Sequence, residues 1–266
     1  MYRKGKERVD AALVRRGLAS SPEKAQALIL AGLVWSRGLR LEKSGQTIEV
    51  DQDLEVKQTL PYVGRGGLKL AEALDVFGLK VEGMTAVDLG ASTGGFTDCL
   101  LQRGARRVVA VDVDVRQLDQ KLRADSRVRL VEKNARYLER SDIPEDVDLV
   151  TADLSFISIL KVLPAVKVFL GRGSLLALLK PQFEAGRRQV GKKGVVRDSA
   201  VHELVLRALT AGAAVLGFHL QGLIKCSTAG ARGNREFFGL WSLTSAGLGE
   251  GEVERRLREV VRDEKD

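Results

Sequence analysis

The stretch that most restricts how this chain can fold is Met84 to Phe96, M-T-A-V-D-L-G-A-S-T-G-G-F. An apolar run, a glycine-rich turn and a helical start, in that order, open a doubly wound parallel sheet. The alternation then continues. Strands are expected at 84–89, 107–113, 128–132, 147–153, 174–180, 218–226 and 236–242, with helices at 95–103, 115–124, 158–169 and 198–215. Ahead of the sheet, Leu70, Ala73, Leu74 and Phe77 make a helix stripe over 68–77, with Lys69 opening it off the buried face. The end of the chain, 249–266, reads as an exposed, charged helix.

Residues 8–60 form a separate pattern. Val9, Ala12 and Leu13 keep helical spacing up to Gly17, and Ser21-Pro22 caps and starts a second helix, 22–31, closed by Gly32. Strand-like runs follow at 33–36, 46–50 and 54–57. Such a unit is too short for a catalytic cleft of its own. The expected division is residues 1–60, a small α+β unit, and 61–266, the α/β sheet domain, which suits a length of 266.

Two cysteines, Cys99 and Cys226, and two histidines, His202 and His219, leave no disulfide framework and no histidine-rich metal site. The N-terminus has no apolar run behind its charges, and no stretch has membrane length, so a cytoplasmic location is expected. The net charge is +8. Residues 1–40 hold nine Lys/Arg against three acids, and 180–197 hold six against Glu184 alone. Two basic islands on a mixed surface suit an extended polyanion, although either alone is equally a solvated charged face.

The glycine-rich turn must still choose its ligand. Two residues after Gly90 stands Ser92, which breaks the dinucleotide spacing, and Gly95 is followed by Phe96 where a phosphate loop needs lysine. S-adenosyl-L-methionine fits better. Gly90, Ser92, Thr93, Gly94, Gly95 and Phe96 would surround its methionine part, and Asp112, ending V-V-A-V-D, would take the ribose hydroxyls. Asp114 competes with Asp112 for that role. Asn134 stands where methyltransferases of this fold place a polar residue near adenine. Cys99 reads as core.

Asp153 and Lys180 end the fourth and fifth strands and should share one crevice, where a lysine behind Leu175 to Leu179 needs a partner. A structural ion pair would look the same. With Lys69 and Glu236, however, the set Lys-Asp-Lys-Glu resembles the ribose 2′-O-methyltransferases of the FtsJ type. The longer runs Gly-Arg-Gly-Gly-Leu-Lys, Asp-Leu-Gly-Ala-Ser-Thr-Gly-Gly-Phe-Thr-Asp, Asp-Leu-Ser-Phe-Ile-Ser and Lys-Pro-Gln-Phe-Glu, over residues 8–242, resemble the TlyA family, also known as hemolysin A. Arg8-Val9-Asp10, Leu13, Ala25, Leu28, Ile29, Gly32 and Val34 are similar to the small RNA-binding domain of ribosomal protein four and pseudouridine synthases. That domain has Ser-Arg and Asn-Gly where this chain has Ser21-Pro22 and Arg37-Gly38.

The resemblance implies a Rossmann-like, seven-stranded methyltransferase domain behind a small RNA-binding domain. It implies that S-adenosyl-L-methionine is the cofactor and that Lys69, Asp153, Lys180 and Glu236 are catalytic, Lys180 as base or holder of the alkoxide. The substrate would be a cytidine ribose in ribosomal RNA within a subunit; a monomer, no metal and no membrane are expected. RNA would meet Arg8, Arg15, Arg16, Lys24, Arg37, Arg65, Arg187, Arg188, Lys192 and Lys193, the last four on a mobile loop, 185–195. With 5% aromatics, base stacking is not the expected main mode of recognition. The rivals are a non-catalytic ribosome-assembly factor, which requires a broken tetrad, and a hemolysin, which requires a membrane element.

Overall fold

The computed structural model describes residues 5–30, 32–56, 61–186, 189–191 and 193–262, without the side chains of Lys24, Ala27, Leu30 and Ala231. The chain divides into two compact units, Met1–Leu60 and Pro61–Asp266.

In the first unit the chain runs β1 (Lys6–Arg8), α1 (Val9–Arg15), α2 (Pro22–Leu30), β2 (Val34–Ser36), β3 (Leu39–Arg40), β4 (Thr47–Glu49) and β5 (Glu55–Val56). β1 pairs antiparallel with β4, while β2 lies between β3 and β5. The helix faces carrying Val9, Ala12, Leu13, Ala25 and Ile29 close over Val34, Ile48 and Leu54. β1 and β3 were not foreseen, because β1 is wholly polar and both residues of β3 are exposed, so neither carries an apolar pattern. Arg37 (φ 49°) and Gly38 (φ 76°) are both left-handed, as a two-residue hairpin between right-twisted strands requires.

In the second unit follow α3 (Arg65–Val76), β6 (Thr85–Leu89), α4 (Gly95–Gln102), β7 (Arg107–Asp112), α5 (Gln120–Ala124), β8 (Val128–Glu132) and β9 (Leu149–Ala152). Then come α6 (Leu163–Leu170), β10 (Ser174–Leu179), α7 (Pro181–Glu184), α8 (Ser199–Val215), β11 (His219–Lys225), β12 (Phe237–Ser242) and α9 (Glu250–Val261). The seven strands make one sheet in the order β11-β12-β10-β9-β6-β7-β8. Only β12 runs antiparallel to its neighbours. This is the α/β, Rossmann-like sheet expected, buried on both faces by two separate apolar clusters.

Four details differ from expectation. α3 begins at Arg65, one turn early, so Lys69 sits in its second turn. The stretch 115–124 breaks into a 3₁₀ turn and α5, each with its own aspartate cap, Asp114 and Asp119. Likewise 158–169 is a 3₁₀ turn followed by α6, because Pro164 has no N–H and its ring would clash with the preceding turn. α9 is not merely exposed: Leu257 and Val261 are buried in the core on one side of the sheet.

Candidate active site

Both loops that leave β6 and β9 meet at the carboxyl edge of the sheet. Gly90 (φ 81°) ends β6 so close to the Asp153 carbonyl that a Cβ there would lie 2.6 Å from it. The next loop turns through left-handed Ser92 (φ 47°) and Gly94 (φ 100°) into α4, where Gly95 comes 3.0 Å, measured to an added Cβ, from the Gly67 amide. Side chains at these positions would force α3, α4 and the loops apart.

A cavity of about 650 Å³ opens beside this edge, lined among others by Gly90, Ser92, Asp112, Asn134, Asp153 and Phe156. A smaller one of about 120 Å³ adjoins it and is lined by Arg65, Thr93, Gly95 and Phe96. Gly94 lines neither; it caps α4. The Asp112 carboxylate is fixed by the amides of Ser92 (2.8 Å) and Asp114 (3.1 Å). Asp114 is engaged elsewhere, capping Arg116 N and pairing with its guanidinium at 2.7 Å. Asn134 caps its own 3₁₀ turn by accepting from Arg136 N at 3.0 Å. Phe96 is mostly core, with its ring 6.0 Å from that of Phe238.

Beneath the loop lies a carboxyl group that the sequence reading passed over. Asp88, fully buried in β6, accepts from Thr97 Oγ1 (2.7 Å) on α4 and Thr151 Oγ1 (3.2 Å) on β9. Burial pushes its pKa up to about 7. The signal was present: one acid inside the apolar run A-V-D-L.

The four residues expected to converge form two ion pairs. Lys180 Nζ lies 2.5 Å from Asp153 Oδ1 and 3.1 Å from Ser155 Oγ. Lys69 Nζ lies 2.6 Å from Glu236 Oε2, and Gln182 Nε2 donates to the other Glu236 oxygen at 3.3 Å. Lys69 is thus held by Glu236. Cys226, which bonds the Glu236 carbonyl through its amide at 2.9 Å, has its thiol pushed up by burial. The Cys99 thiol is likewise pushed up to about 11, which fits a core residue.

A second residue that sequence reasoning missed is Phe156, left-handed (φ 63°) and 89% exposed. Its ring packs on Phe183 with centroids 4.7 Å apart, and Lys180 Nζ lies 5.9 Å from the Phe183 centroid. A bulky non-glycine residue in that conformation, with its ring largely in solvent beside a cavity, is a strained position of the kind that clusters at functional sites.

The expected RNA cations divide sharply. Arg8 pairs with Asp10 (2.6 Å) and Arg15 with Glu7 (2.5 Å), while Arg16 donates to the carbonyls of Val50 and Gln52, both at 2.7 Å. Arg37, Arg65 and Lys193 are exposed. Arg187, Arg188, Lys192 and the Lys24 side chain lie outside the described residues. The loop 185–195 is tied down at its far end, where Asn234 binds Gly194 and Val196. Among the described residues no three His, Cys, Asp or Glu could hold a metal, and no helix is long and apolar enough to cross a membrane.

Comparison with known proteins gives a consistent answer. The model of the FtsJ-like methyltransferase family matches residues 62–241. The chain is 45% identical over 241 residues to the 16S/23S rRNA (cytidine-2′-O)-methyltransferase TlyA of Mycobacterium tuberculosis, covering 89% of this chain and 90% of that protein. It is 48% identical over 236 residues to a candidate rRNA methyltransferase, YqxC, of Bacillus subtilis, covering 87% and 84%. A solved structure of a candidate hemolysin of Streptococcus thermophilus superposes with a TM-score of 0.73 at 42% identity, covering 97% of this chain and 96% of that one.

Proposed function

The chain belongs to the FtsJ-like methyltransferase family, and we propose that it methylates the 2′-hydroxyl of a cytidine ribose in ribosomal RNA, within a ribosomal subunit. The observation that carries this reading is the pairing of Lys180 with Asp153, 2.5 Å apart, where the Gly90 loop and the 650 Å³ cavity meet. Relatives named for this activity support it.

The cavity suits S-adenosyl-L-methionine. Asp112, pinned by two amides, faces it with an acceptor for ribose hydroxyls, and Gly90 on its wall lets the β6 loop lie against the Asp153 carbonyl. Gly90, Ser92, Thr93, Gly95, Phe96, Asp112 and Asn134 would hold the cofactor, while Gly94 turns the loop into α4. When bound, it supplies an electrophilic methyl group.

A ribose hydroxyl is a very weak acid, so the protein's task is to place a proton acceptor beside it and to stabilise the oxygen as charge develops. Lys180 Nζ would be that acceptor, or would hold the forming alkoxide, with Asp153 and Ser155 fixing the amine. Glu236 would orient Lys69, which it holds at 2.6 Å. Phe156 and Phe183 offer an apolar face to the nucleoside. Residues 1–60 would grip RNA. A monomer in the cytoplasm completes the reading.

The test is to incubate the enzyme with ribosomal subunits and labelled cofactor and to map the methyl group by mass spectrometry of digested rRNA. Label on a ribose 2′-oxygen is expected. Label confined to a base overturns the proposal.

A further inference from the structure

Glu236 follows a loop, 226–235, that is bound to the basic stretch after α7 mainly through one buried side chain. Asn234 is 3% exposed. Its Oδ1 accepts the Val196 amide at 3.1 Å and its Nδ2 donates to the Gly194 carbonyl at 3.0 Å. Its own carbonyl accepts the Gly230 amide at 2.8 Å, which closes the loop on itself. On the other side, Gly191 N donates to Val195 O at 3.1 Å, so a closed turn is presented to the asparagine. Left-handed Arg232 (φ 58°) adds a bond from Nη1 to the Lys193 carbonyl at 2.9 Å.

Two consequences follow from where this junction lies. Lys193, Arg197 and Arg232 are all exposed on the joined segments, a group of cations carried by the two clasped loops. At the inner end, Gly230 packs over Glu236 so tightly that any Cβ would overlap the carboxylate, and Glu236 holds Lys69 at 2.6 Å. These cations and one arm of the tetrad therefore share a support. A buried amide with both ends used fixes one geometry more strictly than an apolar side chain would.

We propose that Asn234 is a positioning residue: it clasps the two loops into one rim, so that RNA phosphates held by Lys193, Arg197 and Arg232 stand in fixed register with Glu236 and Lys69. The RNA part rests on the ribose-methylation reading; the clasp itself does not.

The experiment compares Asn234→Ala with Asn234→Asp, which keeps the acceptor for Val196 and loses the donor. Three quantities are read: the rate of tryptic cleavage after Lys193, cofactor affinity by calorimetry, and KM and kcat on ribosomal subunits from a strain lacking the enzyme. For Asn234→Ala, cleavage and KM should each rise about 10-fold, the scale of a lost buried hydrogen bond. Its kcat should fall less and cofactor affinity should stay within about twofold, with Asn234→Asp intermediate. Unchanged cleavage overturns the clasp. Faster cleavage with unchanged KM overturns its role in RNA binding, and so does a parallel loss of cofactor affinity, which marks general damage. If the wild type methylates no RNA, the functional reading falls while the cleavage rates still decide the clasp.

Discussion

Arg8, Arg15 and Arg16 of the small unit do different work from the cations on the rim of the sheet unit. In the small one, Arg8 and Arg15 lie on carboxylates at 2.6 and 2.5 Å, and Arg16 ties down two backbone carbonyls. On the rim of the sheet unit, Lys193, Arg197 and Arg232 face solvent, and Arg232 donates to the Lys193 carbonyl. The sequence shows two comparable basic islands; the folded chain separates charge that holds a structure from charge that is presented. A cation already paired with a carboxylate gains less from a phosphate, since binding must replace one partner by another. The acids divide in the same way. Arginine partners hold Glu7 and Asp10 below the usual carboxylate range, while burial pushes Asp88 up to about 7.

The largest effect should come from the basic loop. Replacing Arg187, Arg188, Lys192 and Lys193 together by Gln should reduce the slope of log affinity against log salt for rRNA by about 3, with cofactor affinity unchanged. Replacing Arg8 and Arg15 by Gln should change the slope by less than about 1, because both start from ion pairs. Equal slopes for the two variants would break the comparison.

The acids offer a second way to sharpen it. Asp88 has a raised folded pKa, so the stability it contributes is full below the unfolded value, near 3.8, and is lost as pH rises through about 7. Asp88→Asn should therefore raise the urea midpoint at pH 8 and have little such effect near pH 4. Glu7 and Asp10 have lowered values, so their contribution holds above the ordinary carboxylate range and disappears in acid. An Asp88→Asn effect of the same size at both pH values would remove the contrast. Smallest is the difference inside the small unit. Arg16→Ala should cost about 1–3 kcal/mol for two lost carbonyl bonds. Arg15→Ala, at a side chain 52% exposed, should cost less than Arg16→Ala, again by urea unfolding.

The five inner strands of the sheet were legible because each is buried on both faces and reads as a near-continuous apolar run, while the edge strands Val128–Glu132 and His219–Lys225 are only partly buried and mix apolar with polar residues. The short strands Lys6–Arg8 and Leu39–Arg40, the first wholly polar and the second exposed, give no apolar pattern to read. The Asp153–Lys180 pair was legible for a related reason: a charge ending an apolar strand needs a partner on the next one. What stayed hidden depends on contacts remote in sequence. Nothing local to Asn234 says that it will bind Val196, 38 residues away, and nothing local to Arg16 says that it will bind Gln52. Phe156 was hidden differently, since an aromatic ring reads as core until its exposure is known.

The central claim is that the Lys180–Asp153 pair serves methyl transfer to a ribose oxygen. It is tested most directly by single-turnover transfer to ribosomal subunits by Lys180→Ala, with cofactor binding measured on the same sample. The account predicts that the rate of 2′-O-methylation falls by about 10²- to 10⁴-fold while the cofactor dissociation constant stays within about twofold. Transfer at the wild-type rate, or a loss explained by failure to bind the cofactor, would contradict it.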